Sequence, residues 1–452
     1  VRALARPAPF ATFRAPATGF KGQVARLDDP RTIEVSAPEA GPAQGRRRRF
    51  EAAIANLRWR PGRNALLVTT TDPAHRQTLW LWELASNRLR LLARANGVLN
   101  DGAGYSAAPC ALAARRAVCV AAGPVDPPHL VDIDLDTGEQ RLLDRPPAPD
   151  PGPDRIEART LIWTDAKGRR FGGVLMLPMR RPGHQPLPLV LTYYECAGFV
   201  RGGVGDEWPM AALAARGVAS LCIDQTADVA DPLDSASAYQ AGLSGVRAIV
   251  EALGKAGLVD SRRVGMGGLS FGSEVTLWIA AHSDLLAAAS IASGEIEPIY
   301  YWYTALSGQH PLLLKAWGLG DPDLTRPAWE RMSSALHAQD IRTPLLMQLP
   351  EQEFRYNMEL YAKLSDAAVP VDMYAFPNEP HVLTQPEHRL AAYQRNLDWF
   401  LFWLKSEEDP LASKAEQYRR WRAQRQAWAA SPAHATPQPR SQSSTSANSN
   451  SR

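Results

Sequence analysis

The segment that most restricts the fold lies past the middle of the chain. Arg263-Val264-Gly265-Met266-Gly267 has the character of a buried strand, and it runs through Gly268-Leu269-Ser270-Phe271-Gly272 into a helical pattern starting at about 271. A G-x-S-x-G turn between strand and helix lifts a serine hydroxyl above a sheet edge, and its glycines permit strained backbone and close approach of the two elements. The helix N-terminus beneath favours developing negative charge. The five-residue pattern alone is common by chance, and a glycine-rich turn with an ordinary serine is the plain alternative. The flanking strand and helix make it a nucleophile candidate.

The surroundings agree. Between about 156 and 410, apolar runs of strand length fall at 172–178, 188–193, 218–223, 263–267, 288–292, 344–349 and 371–376. Helical periodicity falls at 207–216, 236–256, 271–282, 327–337, 355–368 and 386–404. Such alternation specifies an α/β domain, a mostly parallel sheet covered by helices on both faces.

The N-terminal part is different. Leu79-Trp80-Leu81-Trp82-Glu83-Leu84, ending in Arg90-Leu91-Leu92, recurs 51 residues later as Leu130-Val131-Asp132-Ile133-Asp134-Leu135, ending in Arg141-Leu142-Leu143. Leu66-Leu67-Val68 recurs in register as Ala117-Val118-Cys119, and turn residues Ser86-Asn87 and Thr137-Gly138 precede the last strand of each unit. Short strands repeating at this period read as propeller blades. A two-sheet sandwich with a chance echo is the alternative. Two clear units and part of a third fit into residues 1–145, fewer than the four blades that usually close a ring. Together with a first residue Val1, this reads as a chain lacking its native N-terminus. Five prolines within 144–155 place a domain boundary there, giving a β region over 1–150 and a catalytic α/β domain over 156–410. Residues 411–428 read as a basic helix within a final region 411–452, whose last stretch from 430 is low in apolar content and expected to be disordered.

Composition removes several function classes. Lys plus Arg number 50 against 47 Asp plus Glu, a net charge of +3, too near zero to argue for nucleic acid. The run Arg46-Arg47-Arg48-Arg49 reads as a short, solvated, charged loop. No apolar stretch reaches the roughly 18 residues needed to span a membrane. Cys110, Cys119, Cys196 and Cys222 form no CxxC, and neither a disulfide framework nor a cysteine zinc site is expected from them.

A serine needs a base and an orienting acid. In strand–turn–helix nucleophiles of this kind the chain order is nucleophile, acid, histidine. Of His282, His310, His337, His381, His388 and His434, only His381 sits in a loop directly off a strand, in Pro377-Asn378-Glu379-Pro380-His381. His388 falls in a helix, His434 in the tail, and His282 at the end of the nucleophile helix, where it suits a C-terminal cap. The acid should follow strand 344–349. No aspartate occurs between Asp340 and Asp366, which leaves Glu351 or Glu353. For the oxyanion, one donor should be the Phe271 amide. A second should come from Thr192-Tyr193-Tyr194-Glu195-Cys196-Ala197-Gly198-Phe199, as backbone or as a tyrosine hydroxyl.

With these residues in hand, the chain from about 57 to 410 resembles the prolyl oligopeptidase family of serine peptidases. The resemblance rests on the Ser270 elbow, on Pro188-Leu189-Val190-Leu191-Thr192-Tyr193-Tyr194, and on the histidine loop. It implies an α/β-hydrolase domain preceded by an incomplete β-propeller. It also implies that the Tyr194 hydroxyl serves the oxyanion and that the catalytic acid, normally Asp, falls on Glu353. Where the family has His-Gly before the acid, this chain has Leu349-Pro350. The glutamate acid, Asn378-Glu379-Pro380-His381-Val382, the stretch Gln385-Pro386-Glu387-His388-Arg389-Leu390 and Lys414 to Trp421 are similar to one branch, the lasso peptide isopeptidases of proteobacteria. The branch implies a threaded lasso peptide as substrate partner, a Ser270–His381–Glu353 triad, no cofactor or metal, and a propeller acting as a clamp. Its compartment, cytoplasmic or periplasmic, is left open by the sequence. Glu295, Glu297, Tyr300, Tyr301 and Trp302, which follow strand 288–292, are candidate substrate contacts, with Glu295, Tyr300 and Trp302 foremost; an aromatic packing cluster is the equal alternative. Competing readings are a peptidase acting on short linear peptides and an inactive binding fragment exposing unpaired strand edges.

Overall fold

The computed structural model describes residues 13–14, 23–26, 29–36, 46–102, 109–145, 156–179, 185–196, 208–229, 235–293, 296–304 and 308–431. The proline-rich boundary at 146–155 and the tail from 432 onward lie outside them.

Three antiparallel sheets follow one another along the first part of the chain. The first is β1 (Phe13–Arg14), β2 (Gln23–Arg26), β3 (Thr32–Ser36) and β4 (Arg46–Arg49); the second is β5 (Ala53–Trp59), β6 (Ala65–Thr71), β7 (Gln77–Glu83) and β8 (Arg88–Arg94). The third comprises β9 (Leu99–Asn100), β10 (Ala111–Leu112), β11 (Arg116–Gly123), β12 (Asp126–Asp134) and β13 (Gln140–Asp144). The 51-residue sequence repeat is a repeat of register. Leu67 faces Leu81 and Leu81 faces Arg90, while Val118 faces Asp132 and Asp132 faces Arg141. The turns match as well, with Asn87 at φ 54° and Gly138 at φ 81°.

Strand β6 explains why these sheets stack as blades and not as a two-layer sandwich. Its alternate residues are buried on opposite sides: Leu66 and Val68 pack with Ile33, Val35 and Trp82, and Leu67 packs with Leu81, Ala117, Cys119 and Ile133. The middle sheet therefore has a neighbour on each face. The arginine run is a strand, not a loop. It is an edge strand, where repeated charge deters further pairing. Arg48 turns its guanidinium to the carbonyl (2.6 Å) and side chain (2.9 Å) of Asn87 in the next sheet.

The cysteine expectation is also corrected. Cys110 is bonded to Cys119 and Cys196 to Cys222, with Cα–Cα separations of 4.6 and 5.7 Å. Ala111 pairs with Val118, so Cys110 and Cys119 stand opposite each other across neighbouring strands. The second pair joins the exit of one strand to its parallel neighbour. Both pairings arise from strand register, which no spacing motif records.

The second part is built on one eight-stranded sheet, in the order β14-β15-β17-β16-β18-β19-β20-β21. Its strands are β14 (Ile156–Thr164), β15 (Arg170–Pro178), β16 (Leu187–Tyr194), β17 (Ala219–Asp224), β18 (Val259–Gly268), β19 (Ala288–Ile291), β20 (Leu345–Pro350) and β21 (Val371–Phe376). β14 and β15 are antiparallel and the strands from β17 through β21 are parallel. The helices are α1 (Met210–Ala215), α2 (Ser235–Lys255), α3 (Phe271–His282), α4 (Tyr300–Tyr303), α5 (Gln309–Trp317), α6 (Arg326–Met332), α7 (Met358–Asp366), α8 (Pro386–Lys405) and α9 (Ala415–Ala430). Alternation along β16 sorts them into two layers. Leu189, Leu191 and Tyr193 join the core shared with α2, α3, α6 and α7, and Val190 joins the core shared with α1, α8 and α9. The fold is a propeller-type β region joined to an α/β-hydrolase domain.

The pattern expected at 327–337 ends as α6, followed by a 3-10 turn over Ser334–Asp340, and that at 355–368 begins as a 3-10 turn over Phe354–Asn357. α9 lies against β21: Trp421 Nε1 donates to Asp372 and Gln424 Nε2 to the Val371 carbonyl. Among the described residues, no helix is long and apolar enough to cross a membrane.

Candidate active site

Parallel strands deliver their C-terminal ends to one edge of the sheet, and loops there collect functional groups. β16 ends at Tyr194, β18 leads to Ser270, β20 leads to Glu351 and Glu353, and β21 leads to His381. The Ser270 backbone is left-handed at φ 56°, ψ −126°. The glycines around it are required. A Cβ on Gly268 would sit 2.2 Å from the Gly272 carbonyl carbon, and one on Gly272 would sit 2.4 Å from the Tyr193 oxygen. A buried serine relay holds this turn. The Ser270 N–H donates to Ser293 Oγ (2.6 Å), Ser293 Oγ to Ser273 Oγ (3.1 Å), and Ser273 Oγ to the Gly268 carbonyl (2.6 Å).

His381 Nδ1 and Glu353 Oε1 are 2.6 Å apart. Glu351 does something else: its Oε2 accepts the Asn378 N–H at 3.0 Å and pins the start of the histidine loop. Glu379, fully buried, folds the rest of that loop. It accepts the N–H (2.7 Å) and hydroxyl (3.0 Å) of Thr384, the Gln385 N–H (3.0 Å) and a contact from His388 Nδ1 (2.8 Å). Burial acts against its charge, but these bonds outweigh it and hold the carboxyl below its ordinary pKa. His388 is thus a loop partner, and His282 bonds the Trp278 carbonyl at the end of α3 and stacks on its ring.

Tyr194 has φ 132°, a second strained backbone at this edge, and its ring meets Phe271 edge-on at 5.5 Å. Burial, then the charges of Glu195 and Glu274, raise its pKa. No acceptor is found for the Phe271 N–H among the described residues. Sequence reasoning passed over Glu274, one turn past Ser270. Its Oε2 accepts the Tyr239 hydroxyl at 2.6 Å. Burial pushes its pKa up to about 7, opposed by that bond and by His381.

Of the candidate substrate contacts, Glu295 lies outside the described residues. Trp302 stacks on His310 (3.9 Å) and meets Trp329 edge-on, and Tyr300 is solvent-exposed. Glu297 is buried and accepts the Ile299 (2.9 Å) and Tyr301 (2.7 Å) N–H groups at the start of α4. Its pKa is pushed up to about 7, chiefly by burial. Tyr301 faces the site instead, with its ring against Tyr356 at 5.3 Å and its hydroxyl under the charges of Glu274 and Glu353.

The blades reach this edge directly. His75, in the β6–β7 turn, places Nε2 at 2.6 Å from Asp224 Oδ2, and the other Asp224 oxygen accepts the Cys196 N–H at 2.8 Å. Asp224 is the register partner of Tyr194. Among the described residues, no cluster of three or more His, Cys, Asp or Glu side chains could hold a metal ion.

Known proteins resemble this chain in sequence and in fold. Residues 239–407 match the prolyl oligopeptidase family model. The chain is 33% identical over 340 residues to Lasso peptide isopeptidase AtxE2 of Asticcacaulis excentricus, covering 70% of this chain and 47% of that protein. It is 29% identical over 170 residues to Dipeptidyl-peptidase 5 of Porphyromonas gingivalis, covering 34% and 24% of the two chains. The apo AtxE2 isopeptidase structure matches with a TM-score of 0.75 at 26% identity, covering 94% of this chain and 66% of that one. A variant of that enzyme with Astexin3-dC4 bound gives 0.74 at 27%, with the same coverage. This chain spans about half the length, or less, of these curated relatives. The nucleophile elbow and the histidine loop both lie inside the segment that matches the prolyl oligopeptidase family.

Proposed function

We propose that this chain is a serine isopeptidase that opens lasso peptides, hydrolysing the isopeptide bond between the N-terminal amine and an Asp or Glu side chain. The observation that carries this reading is the 2.6 Å Glu353–His381 contact on the sheet edge that bears the strained Ser270 elbow, in a chain similar to a lasso peptide isopeptidase.

Ser270 Oγ attacks the side-chain acyl carbon while His381 takes its proton. The tetrahedral oxyanion is held by the Phe271 N–H and the Tyr194 hydroxyl. His381 passes the proton to the departing α-amine, the C–N bond breaks, and a Ser270 ester remains. Water attacks that ester, giving one proton to His381 and on to Ser270, and releases the free carboxyl and a linear peptide. Glu353 holds the tautomer that leaves Nε2 free for the serine and stabilises the imidazolium. The blades, tied to the site edge through His75, form a wall against which a folded substrate is held.

The test is mass spectrometry of a lasso peptide and its unthreaded linear counterpart after incubation with enzyme. Opening of the lasso by one added water, absent in Ser270→Ala, supports the reading. Cleavage of the linear peptide with the lasso left intact overturns it in favour of an ordinary peptidase.

A further inference from the structure

Glu274 stands out among the buried titratable groups that the reaction above does not use. It lies one helical turn past Ser270, so α3 carries it on the same end that carries the nucleophile. One carboxyl oxygen holds the Tyr239 hydroxyl. The other has no hydrogen-bond partner among the described residues, and no Lys or Arg there pairs with the group. The residue is half-buried. Its surroundings are the site itself. It acts electrostatically on His381, Tyr194 and Tyr301. The rings of Tyr239, Phe271 and Tyr194 follow one another at 5.6 and 5.5 Å, making the adjoining wall aromatic.

An acidic side chain set in an aromatic recess without a cation is costly unless something charged arrives. As a partner for Tyr239 alone, a neutral amide would serve equally well. We propose that Glu274 forms a subsite of the catalytic cleft that takes a cationic group of the substrate, an ammonium or guanidinium on a residue next to the acylated position. This rests on Ser270 being the nucleophile. The incoming cation ionises Glu274, and the aromatic wall adds attraction through its ring faces.

The test uses activated esters, which do not depend on lasso recognition. Initial rates are measured for the p-nitrophenyl esters of N-acetyl-lysyl-glycine and N-acetyl-norleucyl-glycine, whose lysine or norleucine stands next to the acylated glycine, with the full chain and with Glu274→Gln, Ser270→Ala serving as background. The wild-type chain should favour the lysine ester in kcat/KM by about 10- to 100-fold, the scale of one hydrogen bond to a charged group. Glu274→Gln, which can still accept the Tyr239 hydroxyl, should bring the ratio close to one. Equal rates in the wild type, or a preference that survives in Glu274→Gln, overturns the subsite while leaving the nucleophile intact. Absence of Ser270-dependent hydrolysis of both esters overturns the nucleophile reading and this proposal with it.

Discussion

The amide of Ser270 donates to the hydroxyl of Ser293, two residues beyond the end of the neighbouring strand β19, at 2.6 Å. The bond reaches the strained residue itself, and Ser273 extends it to the Gly268 carbonyl on the other side of the turn. The elbow is therefore held from outside as well as by its glycines. Removing Ser293 Oγ leaves a buried N–H without its acceptor, at a cost of about 1–3 kcal/mol. Ser293→Ala should lower kcat on an activated ester by about tenfold with little change in KM, and Ser293→Thr, which keeps the hydroxyl, should recover part of the loss. Equal kinetics in Ser293→Ala and wild type would show that the glycines suffice.

The two glutamates after β20 should separate cleanly. Ser270→Ala and His381→Ala should abolish turnover. Glu353→Ala should lower kcat by roughly 10³–10⁴-fold, the scale seen when an orienting acid is lost. Glu351 bonds the Asn378 N–H and not the imidazole, so Glu351→Ala should cost activity far less, and its effect should show first as a lower Tm. Steady-state kinetics beside a thermal melt decide it; if Glu351→Ala is the worse enzyme, the acid has been misassigned.

Glu297 makes stability depend on pH. Its folded pKa, about 7, lies above the ordinary value of 4.5 because burial disfavours the charged form. The folded state thus holds a proton that the unfolded chain releases. The resulting stabilisation is fully present below about 4.5 and is lost as pH rises through about 7. Denaturant titrations across that window should show wild-type stability falling, by up to about 3 kcal/mol from this group. Glu297→Gln should flatten the fall, and an unchanged slope in that variant would sink the assignment.

A second pH effect is local to the blade contact. Burial works against protonation of His75, but its bond to Asp224 and the charges of Asp224 and Asp72 prevail and raise its pKa above 6.5. The contact is strongest below that value and weakens as pH rises through the raised one. Once the intrinsic pH dependence of amide exchange is divided out, the protection of residues 72–76 should fall as pH rises above 6.5. In Asp224→Asn it should be low throughout, because the asparagine supplies no charge to hold the imidazolium.

The strands of the α/β domain were legible because each is an apolar run closed by turn residues, and all seven expected runs fall on strands. β14 was not, since it pairs antiparallel at the sheet's end and holds no fully buried residue, with Arg159 and Thr160 exposed side by side. The first sheet was legible only as part of a third unit, because strands of two to five residues carry little periodicity. At the site, Ser270, His381, Glu351 and Glu353 could be read from turn chemistry and chain order. Glu274, Ser293 and the His75–Asp224 contact could not. Each depends on which strand lies beside which, a relation that a linear sequence does not display.

The docking of α9 on β21 gives the large sheet one closed rim and one open rim. At β21 the carbonyl of Val371 is already taken by Gln424, and α9 packs beside it, so a foreign strand meets a helix at that corner. At the far end β14 has β15 on one flank and, among the described residues, no strand on the other. Edge-to-edge growth between copies, when heat or crowding provokes it, should therefore begin at Ile156–Thr164 and spare the rim that carries the histidine loop. The fibre would grow away from the active edge, and the charges of Glu157 and Arg159 stand as its guards.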